Sequence, residues 1–219
     1  MKSLATNVPK VKFCIVGVAQ DVQNLMKEHQ SSDRLFAGAI ISLPSMTAQE
    51  LKEVIVIAEN SIDRYITLEE PAIDRMVNLA QGHPYMVHLI GKYALRHAFQ
   101  NDQRSITSAM IDETMRSIAE RQSDPVLEGR YKKAVASSEH REIVLKALAN
   151  AQEDGEVWTT NAYRIALDQG VDNASQYVGQ LVTAEYGSEI EKVRERYYRF
   201  HDSLFAAYVR ARPRLVERR

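Results

Sequence analysis

Two apolar runs, Phe13-Cys14-Ile15-Val16 and Ala39-Ile40-Ile41-Ser42-Leu43, bracket a stretch with helical periodicity. That arrangement, from Lys12 to Pro44, constrains the fold more than any other part of the chain. The first run stops at Gly17 and turns polar at Gln20-Asp21, which reads as a buried strand of a parallel sheet. Val22, Leu25, Met26 and His29 then share one helical face, with Asp21 placed to cap it. A polar loop, Ser31-Ser32-Asp33-Arg34, leads into the second run, which Pro44 ends. Strand, helix, arginine-bearing loop and strand make one βαβ unit, the end of a sheet rather than a whole one.

The rest of the chain reads as helices first and a small β element later. Thr47, with Glu50 three residues on, forms a capping-box pattern before Leu51, Val54, Ile55 and Ala58. Pro71 opens a second helix, Gln81-Gly82-His83-Pro84 breaks it, and helices are expected over 84–99 and 106–118. Ser123 to Gly129 reads as a linker, since Asp124-Pro125 disfavours helix before the proline and Gly129 closes the stretch. Beyond it come a helix over 139–151, a strand at Val157-Trp158, a helix capped by Thr159-Thr160 and ended by Gly170, and a third from Asn173 to about Ala184. A hairpin of 190–193 with 197–200 and a last helix from Ser203 to Arg212 follow. Helix, short strand, helix, helix, hairpin is the order of a winged helix.

Composition removes several classes. With 219 residues there is enough chain for one large or two small domains, and a formal charge of −1 announces no polyanion partner. The single cysteine, Cys14, supports neither an internal disulfide nor a metal cluster. The six histidines show no HExxH or Cys-His spacing, so no metal site is expected, and no G-x-S-x-G elbow is present. No apolar run reaches the roughly 20 residues of a membrane span. MKSLATNVPK lacks the apolar core of a signal peptide, so the cytoplasm is the expected compartment.

Residues 12–44 resemble the last βαβ turn of the P-loop ATPase core in the AAA+ and STAND superfamilies, especially their origin-recognition-like members. The resemblance places Gln20 near the γ-phosphate sensor and Arg34 near the arginine finger that reaches a neighbouring subunit's nucleotide, a role that suits a permanently charged, planar guanidinium. Arg34 reads equally as an exposed arginine closing a helix against its dipole. The four helices that follow resemble the helical lid of these families. Gly82-His83-Pro84 matches the Gly-x-Pro of the STAND branch, and Tyr85 stands where the origin-recognition type carries arginine. The resemblance makes Gly82, His83 and Pro84 nucleotide-facing, while Gly and Pro there also serve as plain helix punctuation.

No G-x-x-x-x-G-K-[ST] loop occurs, and no apolar strand ends in paired acids. Tyr93-Ala94-Leu95 follow the one Gly-Lys pair, Gly91-Lys92. The chain is therefore not expected to hydrolyse ATP alone, and reads as the C-terminal region of a longer ATPase. Its expected fold is mainly α with minor β. The segments are a core fragment (1–45), a helical lid (46–122), a linker (123–129) and a winged helix (130–219).

Phe200-His201-Asp202 resembles the Met-His-Asp motif of STAND switches, with His201 contacting bound ADP; Asp202 or Ser203 reads equally as the cap of the last helix. The resemblance implies ATP or ADP with Mg²⁺ in the intact protein, a missing N-terminal ATPase core as partner, and a homo-oligomer. The alternative is a non-catalytic module that binds double-stranded DNA or a protein, in transposition, replication or defence machinery. For DNA the third helix offers Gln176 and Gln180 and the wing offers Lys192, Arg194 and Arg196. That helix lacks any Lys or Arg, which weakens it as a reader. The basic tail from Arg210 reads as a solvated, frayed end.

Overall fold

The computed structural model describes residue 41 and residues 43–214. The chain divides into two units after Pro44, and the expected core fragment lies almost entirely outside the described residues. From Ser45 onward the chain is mainly helical with a small sheet, as expected, and has nine α-helices among the described residues.

Helix α1 (Ala48–Ser61) begins as its sequence dictates. The Thr47 hydroxyl accepts the Glu50 N–H at 3.2 Å and the Glu50 carboxylate accepts the Thr47 N–H at 2.7 Å. Near its other end the buried Glu59 carboxylate accepts the Leu68 N–H at 2.6 Å. Helices α2 (Glu70–Ala80), α3 (Pro84–Gln100) and α4 (Ser108–Glu120) follow. Two short strands that periodicity cannot reveal, β1 (Thr67–Leu68) and β2 (Ser105–Ile106), pair in parallel between them. Leu51, Ile55, Met76, Met86, Ile90, Ile111 and Met115 close the space between these helices. Each such side chain contributes about 1.5–3 kcal/mol of burial.

The expected linker at 123–129 is instead the start of α5 (Pro125–Val135). Asp124 does not break structure; it is the N-cap, accepting the N–H groups of Val126 (3.1 Å) and Leu127 (3.0 Å), with Pro125 in the first turn. Gly129 sits inside the helix in open space. The helix ends through two left-handed residues, Ala136 (φ 43°) and Ser137 (φ 61°). Buried Arg141 satisfies that exposed end, donating to the carbonyls of Ala134, Val135 and Ala136.

Helix α6 (Glu139–Asn150), β3 (Gln152–Glu153), β4 (Glu156–Trp158), α7 (Thr159–Leu167), α8 (Ala174–Leu181), β5 (Ile190–Arg194), β6 (Tyr197–Phe200) and α9 (Ser203–Ala211) complete the chain. The expected order of helix, strand, helix, helix and hairpin is present. Helix α8 stops at Leu181 and a 3₁₀ turn covers Ala184–Tyr186. Thr159 does not cap α7. Its N–H and hydroxyl both donate to the Arg196 carbonyl, at 2.9 and 3.1 Å, and so tie the helix to the β5–β6 turn. The sheet runs β3-β4-β6-β5, antiparallel throughout.

Helix α9 packs against α6 and α5 on one side and against α2 and α3 on the other, so a single core spans both helical groups. The arginines at its end are part of that packing, not a frayed tail. Arg210 donates to the Ala149 carbonyl at 3.1 Å, and Arg212 is 3 % exposed.

Candidate functional site

The break between α2 and α3 meets the C-terminal helices at three alternate residues. Gln81 accepts a hydrogen bond from Arg210, His83 lies against Asp202 and Ser203, and the Tyr85 hydroxyl donates to Asp124 at 2.5 Å. Gln81 takes the left-handed conformation that ends α2 (φ 49°), and Gly82 follows at φ 81°. A Cβ on Gly82 would fall 2.8 Å from the Ser45 Cβ and 3.0 Å from the Met46 carbonyl, and the Gly82 carbonyl accepts the Met46 N–H at 2.9 Å. Glycine at 82 therefore has a packing reason here, apart from any ligand. His83 and Pro84 open α3, with Pro84 in the first turn.

Burial lowers the His83 pKa, against the Asp202 charge and a backbone hydrogen bond with Ser203, which favour the proton. Tyr85 is pushed up to about 12, chiefly by its bond to Asp124. Asp202 has both oxygens engaged: Oδ1 accepts the Leu204 N–H at 2.9 Å, capping α9, and Oδ2 accepts Arg130 Nη1 at 2.6 Å. The exposed neighbour His201 donates its backbone N–H to the Glu189 carbonyl at 3.0 Å. Arg130 joins this corner together, giving Nη2 to Glu189 Oε2 at 2.6 Å and lying 4.2 Å from the Phe205 ring centre.

The residues proposed to read DNA are partly occupied within the chain. Gln180 accepts Arg141 Nη1 at 2.6 Å, and Gln176 accepts the Asn173 amide at 2.8 Å. On the hairpin, Arg194 pairs with Glu156 at 2.7 Å and stacks 3.8 Å from the Tyr197 ring centre. Lys192 and Arg196 are exposed and make no ion pair with a described residue.

A buried polar cluster beneath α9 escaped sequence reasoning. Glu128 on α5 accepts Arg212 through Oε1 (2.7 Å) and Oε2 (2.8 Å), and Oε2 also accepts the Tyr208 hydroxyl at 2.7 Å. Arg212 lies 4.3 Å from the Tyr131 ring centre, and the Tyr131 hydroxyl donates to Glu142 at 2.7 Å. Lys146 caps the end of α9, donating to the Val209 carbonyl at 2.8 Å and to that of Arg212. Its pKa falls to about 8, first through burial and then through Arg212 and Arg214, with Glu142 opposing. The available signal was the i, i+4 spacing of Tyr208 and Arg212 across the end of a helix whose residues between Ser203 and Arg210 are otherwise apolar.

Gln20 and Arg34 lie outside the described residues. Among the described residues no group of three His, Cys, Asp or Glu side chains is placed to hold a metal ion, and no helix is long and apolar enough to cross a membrane. Comparison with protein-family models, with curated proteins and with solved structures returned no match.

Proposed function

We propose that this chain is the lid and winged-helix region of a nucleotide-dependent switch of the AAA+/STAND type. The observation that carries this reading is the meeting of two stretches far apart in sequence. His83, in the Gly82-His83-Pro84 break, lies against Asp202 and Ser203, beside His201. Such a junction lets one ligand contact both stretches at once and favour the conformations in which they meet. The residues suit a phosphate through the His83 imidazole and the exposed His201; Arg130 offsets the Asp202 charge in part, since it also serves Glu189. The triphosphate itself would be gripped by an ATPase core bearing the phosphate loop that this sequence lacks. Arg34 would then act in trans, and Gln20 as a sensor.

The test is ADP release from the assembly with that core. His83→Ala and His201→Ala are expected to speed release by roughly tenfold each, the effect of losing one charge-assisted hydrogen bond. Release at the parental rate in both variants would contradict the reading.

One observation favours a second reading as a DNA-binding module, namely that Lys192 and Arg196 on the hairpin are exposed and in no ion pair with a described residue. Under it, duplex binding weakens with salt, and Lys192→Ala with Arg196→Ala lowers the salt slope by about two.

A further inference from the structure

We propose that the cleft between α4 and α5, beneath the residues that follow α9, binds a small polyphosphate anion. The cleft measures about 470 Å³ and is lined by Arg116 and Glu120 from α4, Glu128 and Lys132 from α5, and Arg212 and Arg214. Four cations from three separate elements thus face two carboxylates. The Glu128 charge is already answered by the fork of Arg212 and by the Tyr208 hydroxyl. That leaves Arg116, Lys132 and Arg214, none in an ion pair with a described residue, against Glu120 alone. Arg212 forms a fixed back wall, closed to solvent and held between Glu128 and the Tyr131 ring.

A concave site with surplus positive charge raises the local concentration of anions. Its shape separates it from a surface that tracks a duplex, where cations spread along a groove. Room for a chain of two or three phosphoryl groups, and a lining dominated by guanidinium and ammonium groups, select phosphoryl oxygens over a single carboxylate. None of these residues belongs to the junction of His83 with Asp202, so the two proposals stand or fall separately.

The probe is inorganic tripolyphosphate, titrated calorimetrically into the full chain at low ionic strength, with amide shifts followed at Ala119 and Lys132. Saturable binding of one anion per chain is expected. Arg116→Ala and Lys132→Ala, both exposed sites, should each weaken it about five- to tenfold, and Glu120→Gln should tighten it. Unchanged unfolding curves for these variants keep the comparison free of folding effects. ATP in parallel identifies the source of the phosphates. Affinity equal to tripolyphosphate assigns the cleft to the phosphate chain alone, and tighter binding still lost in the Arg116 and Lys132 variants assigns it to a nucleotide. Non-saturable binding, binding unmoved by the three substitutions, or binding lost only on His83→Ala overturns the proposal.

Discussion

Arg212 reaches back from the end of α9 to Glu128 on α5 in a two-pronged pair, at 2.7 and 2.8 Å, with 3 % and 1 % of the side chains exposed. The pair fixes the last helix of the chain to the first helix after Asp124, and its burial makes either charge costly when left alone. Arg212→Ala is expected to destabilise by about 3–5 kcal/mol, because Glu128 remains inside without its counter-charge. The double variant Glu128→Gln, Arg212→Met should lose much less than the sum of the single changes. Urea unfolding of the four proteins measures the coupling.

Lys146 makes stability depend on pH. Its folded pKa, about 8, lies below the ordinary lysine value, so between these two the unfolded chain binds more protons than the folded one. Stability therefore rises with pH from about 8 toward 10, by on the order of 1–2 kcal/mol. Above about 10 the trend reverses, because burial holds the Tyr131 and Tyr208 hydroxyls protonated in the fold while they ionise in the unfolded chain. Thermal or urea unfolding across this range should show the rise, and Lys146→Met should remove it.

Arg130 serves two acids at once, Glu189 and Asp202. Arg130→Ala leaves the nearly buried Glu189 unpaired and loosens the cap of α9, at a cost of about 2–3 kcal/mol. Arg130→Lys keeps the charge without the planar fork and should recover only part of that loss. Hydrogen exchange at residues 202–206 should quicken in the same order.

Two glycines predict opposite outcomes for the same change. Gly129→Ala, inside α5 with no atom within 4 Å of the added Cβ, should stabilise by about 0.5–1 kcal/mol. Gly82→Ala meets Ser45 and Met46 at a left-handed φ and should destabilise by about 1–3 kcal/mol. Paired unfolding curves distinguish them.

The contrast also shows which information was local. The Thr47–Glu50 box, the helix start at Pro84 and the 190–200 hairpin were legible because each rests on residues a few places apart. Helix α5 was hidden, since Asp124-Pro125 and Gly129 carry the same letters in a linker as in a capped helix with one solvent-facing glycine. The tail arginines were misjudged because their partners, Ala149, Gln81 and Glu128, lie 61 to 129 residues away. The family resemblance made His83 and His201 each nucleotide-facing, but the contact of His83 with Asp202 and Ser203 was not among its implications. Spacing alone does not contain it, and the engagement of Asp202 by Arg130 and Leu204 required the fold.

The central claim is that the junction of residues 81–86 with residues 201–206 is where nucleotide state is read. Hydrogen exchange of these two segments, in the assembly with a phosphate-loop core, tests it most directly when ADP is compared with a non-hydrolysable ATP analogue. Both segments are expected to be protected together in ADP and to open together, by tenfold or more in rate (about 1.4 kcal/mol), in the ATP analogue. Identical exchange in the two nucleotides, or a response in only one segment, would contradict the account.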